Sequence, residues 1–240
     1  MNGNTETVGS LAGTGNVSLG TATLTAGGNN TTTTYSGVIS GTGGLTKAGT
    51  GTMTLSGANT FSGATTVNAG TLDVGGTGTT LGSTSLIMLN TGGTLLLTGT
   101  GGNLINNAAE IKMNGGTFTA NDRTETMGNL TLTANSTINL SVGGAAATLT
   151  FSNTTWVPGA FTLTINNWTG SPEISGTDDR IFFDAALGGS TLTGISFTGF
   201  PVGARVLSSG EVVPVPEPAT ILSGLLLMGL LAGRLTRDKS

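Results

Sequence analysis

Short stretches of the chain alternate apolar residues with threonine or serine, a pattern typical of β-strands with one buried face. Clear examples are Val17–Leu19, Thr23–Thr25, Thr52–Leu55 and Thr71–Val74. Glycine, asparagine and serine separate these stretches at short intervals and mark turns. Because no amphipathic helical pattern appears before residue 219, the sequence predicts an all-β protein built from many short strands.

Several of these stretches recur along the chain. Thr5–Leu11 (TETVGSL) recurs as Thr124–Leu130 (TETMGNL), and Ile87–Leu95 resembles Ile111–Phe118. Similar strands return loosely about every 20 residues, which suits one coil of a β-solenoid. We expect inward Leu, Val, Ile and Met to stack on equivalent residues of neighbouring coils, with Thr and Ser lining the outer face.

The pattern changes near residue 150, where aromatic residues such as Trp156 and Trp168 become frequent. We interpret residues 1–150 as solenoid repeats and residues 151–213 as an irregular β cap that closes the end of the stack. Further, more degenerate coils are the alternative for the second region.

Composition supports an ordered protein and restricts its chemistry. Only 8% of residues are charged and 42 are glycine, but the mean hydropathy of +0.21 is too high for a typical disordered chain. The net charge is −4 with no basic cluster before the C-terminal tail, which argues against nucleic-acid binding. Without Cys or His, the chain has no disulfide, no thiol nucleophile and no imidazole base. No cofactor is expected.

Residues 214–240 form a tail of a different kind. A proline-rich stretch is followed by an apolar segment, 219–233, and by a basic end with Arg234, Arg237 and Lys239. As a helix the apolar segment would span about 22 Å, short of a hydrocarbon core of roughly 30 Å. We predict a transmembrane helix over 219–233. The helix could continue through Leu235 if the Arg234 side chain snorkels to the membrane interface. The basic end would then lie on the cytoplasmic side. A buried core helix is the alternative.

The stretch from Gly44 to Leu72, GLTKAGTGTMTLSGANTFSGATTVNAGTL, closely resembles the autotransporter-associated β-strand repeat. The Leu-Thr-Lys, Ser-Gly-Ala-Asn-Thr and Ala-Gly-Thr-Leu segments fall in the order of that repeat. The resemblance implies a right-handed parallel β-helix displayed outside the cell.

The C-terminus resembles a PEP-CTERM sorting signal. The motif residues are Val215, Pro216, Glu217 and Pro218, and the apolar segment and the basic end follow at once. The resemblance implies recognition and cleavage by an exosortase of the inner membrane, in bacteria that make extracellular polysaccharide. Pro216 and Pro218 keep the motif extended and accessible to a protease.

No secretory leader is visible in the sequence that follows Met1, since it contains neither a basic nor an apolar region there. A sorting tail without an export leader suggests that the sequence is a fragment or has a misassigned start. A leaderless protein is the alternative.

Some right-handed β-helices cleave polysaccharides, and glycosidases among such enzymes need a pair of carboxylates. Asp178, Asp179 and Asp184 are the best candidates, but the first two are adjacent and would face opposite sides of a strand. We expect Asp178-Asp179-Arg180 to form a solvated turn. Lys47 and Lys112 are interpreted as outward, solvated charges.

These observations predict a non-catalytic, exported surface or extracellular-matrix protein. It would be anchored transiently in the inner membrane, cleaved by an exosortase and associated with extracellular polysaccharide or adhesion. A polysaccharide lyase or hydrolase is the alternative, and an adhesin-like passenger fragment is a third reading.

Overall fold

The computed structural model describes residues 3–77, 80–140, 145–155, 160–170, 178–183, 191–192, 194–200 and 203–215. In chain order the strands are β1 (Glu6–Val8), β2 (Val17–Ser18), β3 (Leu24–Ala26), β4 (Thr33–Tyr35), β5 (Ile39–Ser40), β6 (Leu45–Lys47), β7 (Thr52–Leu55), β8 (Thr65–Val67), β9 (Gly70–Val74), β10 (Leu86–Asn90), β11 (Gly93–Leu97), β12 (Glu110–Asn114), β13 (Thr117–Thr119), β14 (Thr124–Ala134), β15 (Ser136–Asn139), β16 (Thr148–Thr155), β17 (Leu163–Asn166), β18 (Arg180–Phe182), β19 (Thr191–Leu192), β20 (Ile195–Phe197), β21 (Ala204–Val206) and β22 (Val212–Pro214).

Two long parallel sheets contain most of the strands that the structure describes. The first contains nine strands in the order β1-β3-β6-β8-β10-β12-β14-β16-β18, and the second contains eight in the order β20-β17-β15-β13-β11-β9-β7-β4. Successive strands of one sheet come from successive coils, so the chain alternates between the sheets as it advances. The predicted all-β, parallel β-solenoid is therefore confirmed, whereas its right-handed sense stays a prediction.

The core consists of inward residues that stack in register from coil to coil. In the second sheet, pairing aligns one inward residue from each of seven strands: Met53, Leu72, Leu95, Phe118, Ile138, Ile165 and Phe197. All seven are at most 1% exposed. Full burial of side chains of this size contributes about 1.5–3 kcal/mol each, so this row is a main source of the stability of the fold.

A short third side completes the coil between the two sheets. β2 pairs with β5, and an isolated bridge joins Leu81 to Ile105 farther along. Asn59 extends the pairing by accepting the Ile39 N–H at 2.9 Å. Its amide donates to the Thr80 carbonyl of the following coil at 3.1 Å.

Glycine is required where turns of adjacent coils stack closely. Gly49 has φ +67, and a Cβ placed on it would lie 2.1 Å from the carbonyl oxygen of Gly27. Gly70 has φ +62, and its Cβ would lie 2.6 Å from the carbonyl oxygen of Gly49. Both the left-handed backbone and the close approach exclude other side chains.

Parallel pairing continues beyond residue 150 through β16 with β18 and β17 with β20. A three-stranded sheet of β19, β21 and β22, paired antiparallel, then follows. Arg180 and Glu211 form an ion pair of 3.3 Å between β18 and the residue before β22. The division of the chain at residues 150 and 213 stays a prediction.

The two recurring sequence patterns differ in structural meaning. Ile87–Leu95 and Ile111–Phe118 lie on adjacent coils, with Ile87 paired to Ile111 and Leu95 to Phe118. Thr5–Leu11 and Thr124–Leu130 are not equivalent. Strand pairing aligns the exposed Glu6 with a row of the first sheet that runs through Leu24 and Ile87 to Leu130. Glu125 lies in a different row, paired with Leu149.

The predicted transmembrane helix over 219–233 lies outside the described residues. Among the residues that are described, none forms a helix long and apolar enough to span a membrane.

Candidate functional site

The outer face of the second sheet carries a row of hydroxyl side chains, here named the threonine row. Strand pairing places one member on each of seven successive strands: Thr52, Thr71, Thr94, Thr117, Thr137, Thr164 and Ser196. Each is half-buried between its neighbours. Neighbouring parallel strands lie about 4.8 Å apart, so the row runs for roughly 30 Å along the solenoid axis.

A second outward row lies beside it, two residues farther along each strand. This mixed row consists of Thr54, Asp73, Leu96, Thr119, Asn139 and Asn166. Its polar groups bond to one another across coils. Thr54 and Thr98 donate to the Asp73 carboxylate at 3.1 and 2.6 Å. Asn166 donates to the Asn139 side-chain oxygen at 2.9 Å.

The two rows therefore differ in what they offer to solvent. The mixed row satisfies much of its hydrogen-bonding capacity internally, which fixes its side chains. Hydroxyls of the threonine row make no side-chain hydrogen bond to any residue that the structure describes. Each of these hydroxyls keeps one donor and two acceptor sites for a ligand or water.

An asparagine ladder borders the first sheet. Asn90 donates to Asn68 at 2.7 Å, and Asn114 donates to Asn90 at 2.9 Å. The Thr133 hydroxyl continues the chain to Asn114 at 3.2 Å. Such ladders between stacked identical residues hold coils in register. Threonine is the commonest outward residue on both sheets, as predicted, but Met88 and Lys112 interrupt the first sheet and Asp73 and Leu96 the second.

Lys47 does not lie where the sequence placed it. Its side chain points inward and is 1% exposed, stacked between Ala26 and Val67. The ammonium donates to the carbonyl oxygens of Ala48 at 2.7 Å, Gly49 at 2.8 Å and Ala69 at 3.1 Å. Burial lowers its pKa from the ordinary lysine value.

The prediction of an outward Lys47 is therefore wrong, because the alternation of β6 makes position 47 inward. The lysine stem fills the core while the ammonium holds the turn carbonyls of two coils. Lys112, in contrast, occupies an outward position of β12 and is partly exposed, as predicted.

The carboxylates near residue 179 are separated by the fold. Asp178 is exposed, as a solvated turn requires. Asp179 is 0% exposed, so the solvated reading of that residue is wrong. It accepts the Ala147 N–H at 2.8 Å and the Thr169 hydroxyl at 3.0 Å, which ties three segments together. Asp184 lies outside the described residues.

Glu125 is a buried carboxylate that the sequence did not single out. It faces inward at 0% exposure and accepts the N–H groups of Leu104 at 2.9 Å and Ile105 at 3.4 Å. The carboxylate thus satisfies backbone donors of the preceding coil. Burial raises its pKa, although these two hydrogen bonds and the charge of Arg123 act in the opposite direction.

A glycosidase needs two acids about 5–10 Å apart across an open cleft. Asp179 and Glu125 are buried and bonded to backbone, while Asp73 is held by two threonines. Among the residues described, no group of Asp and Glu has an arrangement suited to a metal ion.

Of the predicted sorting motif, the structure describes only Val215. Its N–H donates to the carbonyl oxygen of Gly203 at 2.9 Å, directly after β22 ends. Pro216, Glu217 and Pro218 lie outside the described residues, as do Arg234, Arg237 and Lys239. Their sorting and membrane-flanking roles stay predictions.

Comparison with known proteins supports the repeat identified from the sequence. Residues 45–74 match the family model for the passenger-associated-transport-repeat. A stretch of 69 residues, 29% of this chain, is 48% identical to the adhesin BmaC autotransporter of Brucella suis biovar 1 (strain 1330). The chain covers only 2% of that protein's length. No solved structure matches. The resemblance of Gly44–Leu72 to an autotransporter repeat is thereby confirmed.

Proposed function

We propose that this is a non-catalytic, exported protein of the cell surface or extracellular matrix, whose solenoid displays a polar face to polysaccharide or to another cell. The observation that carries the proposal is the passenger-type repeat at 45–74, folded within a continuous parallel stack whose outer face is rich in Thr, Ser and Asn. A passenger repeat favours a location outside the cytoplasm.

Similarity to an autotransporter adhesin supports an adhesive, non-enzymatic role. The described carboxylates also favour a non-enzymatic role, because the buried Glu125 and Asp179 are hydrogen-bonded to protein groups. Retention of polysaccharide without cleavage is the behaviour this function predicts.

Sorting by the C-terminal tail is the finer part of the proposal. An exosortase-type protease of the inner membrane would recognise Val215–Pro218 after residues 219–233 have inserted as a helix, with the solenoid, which we take to be right-handed, on the outer side. Support comes from the order of the proline motif, the apolar segment and the basic end. The helix is short for a permanent anchor, which favours a transient one.

Surface display is tested in the bacterium that makes the protein. External protease or antibody should reach the solenoid on intact cells, and deletion of residues 215–240 should abolish surface accumulation. A deletion variant that still reaches the surface in normal amount would overturn the sorting role. A full-length protein found only inside intact cells would overturn the display function itself.

A further inference from the structure

The threonine row has the chemistry of a surface for an extended hydroxyl-rich polymer. Its hydroxyls recur at constant spacing along one direction only, the solenoid axis. Identical groups about 4.8 Å apart fit a ligand that repeats over a similar distance. That spacing is close to the length one sugar adds to a fully extended β-1,4-linked chain.

The charge of the outer face of the second sheet favours a neutral polymer over an anionic one. Neither the threonine row nor the mixed row contains Lys or Arg, and Asp73 is their one charged residue. An anionic glycan would therefore meet a carboxylate and no counter-charge. Nucleic acid is disfavoured for the same reason, since its binding depends on cations that neutralise phosphates.

The size of the side chains argues against a folded protein as the occupant. Protein interfaces concentrate aromatic residues and arginine at their centres. The two rows contain neither, and Leu96 is their one large apolar side chain. A face of half-buried hydroxyls instead suits many weak, equivalent hydrogen bonds, whose sum depends on the length of the ligand.

From these observations we propose that the threonine row binds a neutral, extended polysaccharide lying parallel to the solenoid axis, with successive sugars on successive coils. The proposal rests on the display function proposed above and names its ligand class and binding face. Hydrogen bonds between coils fix the side chains of the mixed row, which borders the site.

The test compares two double variants of the full chain. Thr94→Val with Thr117→Val removes two adjacent hydroxyls of the threonine row and preserves side-chain shape and strand propensity. Thr46→Val with Thr66→Val makes the same change on the outward face of the first sheet and serves as the matched control. Equal thermal unfolding midpoints would show that both variants fold.

Binding is measured as retardation in native gels that contain hydroxyethylcellulose, a soluble neutral β-1,4-glucan, or alginate, an anionic glycan. We expect hydroxyethylcellulose to retard the unaltered protein, and the threonine-row variant to bind it roughly tenfold more weakly. The first-sheet control should bind as the unaltered protein does, and alginate should retard none of them.

Several results would overturn the inference while leaving the display function intact. These are equal weakening by both double variants, unchanged binding by the threonine-row variant, or retardation by alginate alone. Absence of retardation by either glycan would overturn the polysaccharide part of the proposed function together with this inference. Inhibition of ice recrystallisation without glycan binding would reassign the row to a water lattice and overturn the glycan proposal.

Discussion

The ammonium of Lys47 donates to the carbonyl oxygen of Ala69, 3.1 Å away in the next coil. The same nitrogen holds Ala48 and Gly49 in its own turn. Lys47 therefore joins the turns of two coils from inside the core, and the Leu-Thr-Lys segment of the repeat is a structural element rather than part of the binding surface.

Variants of Lys47 should separate the packing of its stem from the hydrogen bonds of its ammonium. Lys47→Ala removes both, and we expect the free energy of unfolding to fall by about 2–5 kcal/mol. Lys47→Met retains most of the stem and should lose less. Urea denaturation of both variants measures the difference, and an equal loss would contradict the role given to the stem.

Glu125 should make stability depend on pH. Burial raises the pKa of this carboxyl in the folded state, so the folded protein binds its proton more tightly than the unfolded chain does. Stability from this group is complete below the unfolded pKa of about 4.3 and is lost as the pH rises through the folded value.

Glu125→Gln keeps an acceptor oxygen for Leu104 and Ile105 but does not titrate. Over the pH range above about 4.3, the variant should therefore lose less stability than the unaltered protein. Urea denaturation at a series of pH values measures both slopes. Parallel slopes would show that Glu125 does not titrate differently in the two states.

Two glycines offer a matched test of coil stacking. Gly49→Ala places a Cβ 2.1 Å from the Gly27 carbonyl in a left-handed backbone, and should lower the unfolding free energy by at least 1–3 kcal/mol. Gly28→Ala meets no atom within 4 Å and should be neutral or stabilising by up to about 1 kcal/mol. Similar unfolding midpoints for the two variants would argue against the stacked turns.

Replacement of the adjacent residues Asp178 and Asp179 by alanine should change the stability of the protein by different amounts. Asp179→Ala leaves the Ala147 N–H and the Thr169 hydroxyl without their acceptor, which costs about 1–3 kcal/mol. Asp178→Ala alters an exposed residue and should change stability by less than about 0.5 kcal/mol. Thermal unfolding of the two variants makes the comparison. A larger loss of stability for Asp178→Ala than for Asp179→Ala would contradict the structural role assigned to Asp179.

Period-two alternation was enough to predict the all-β class and the solenoid, because it reports which residues face the core. It also placed Thr52 and Thr71 outward, and aligning such positions between coils would have found the threonine row. Alternation equally marks Lys47 as inward, against the usual preference of lysine for solvent. The burial of Asp179 and Glu125 depends on hydrogen bonds to Ala147 and Leu104, from other coils, which no local pattern reveals.

Sequence similarity between Thr5–Leu11 and Thr124–Leu130 was misleading for a related reason. A short motif fixes the alternation of a strand but not the coil position at which the strand begins. Pairing with Leu24 places Glu6 in the row that contains Leu130, not in the row of Glu125. Register in this solenoid is set by contacts between coils.

The central claim is display without catalysis, and a time course with the full chain tests it most directly. The protein is incubated with neutral and anionic polysaccharides, and bound protein, new reducing ends and unsaturated sugars are measured together. We expect stable retention of a neutral glycan with no new ends over the whole time course. Reducing ends or unsaturated sugars that accumulate in proportion to protein and time would contradict it.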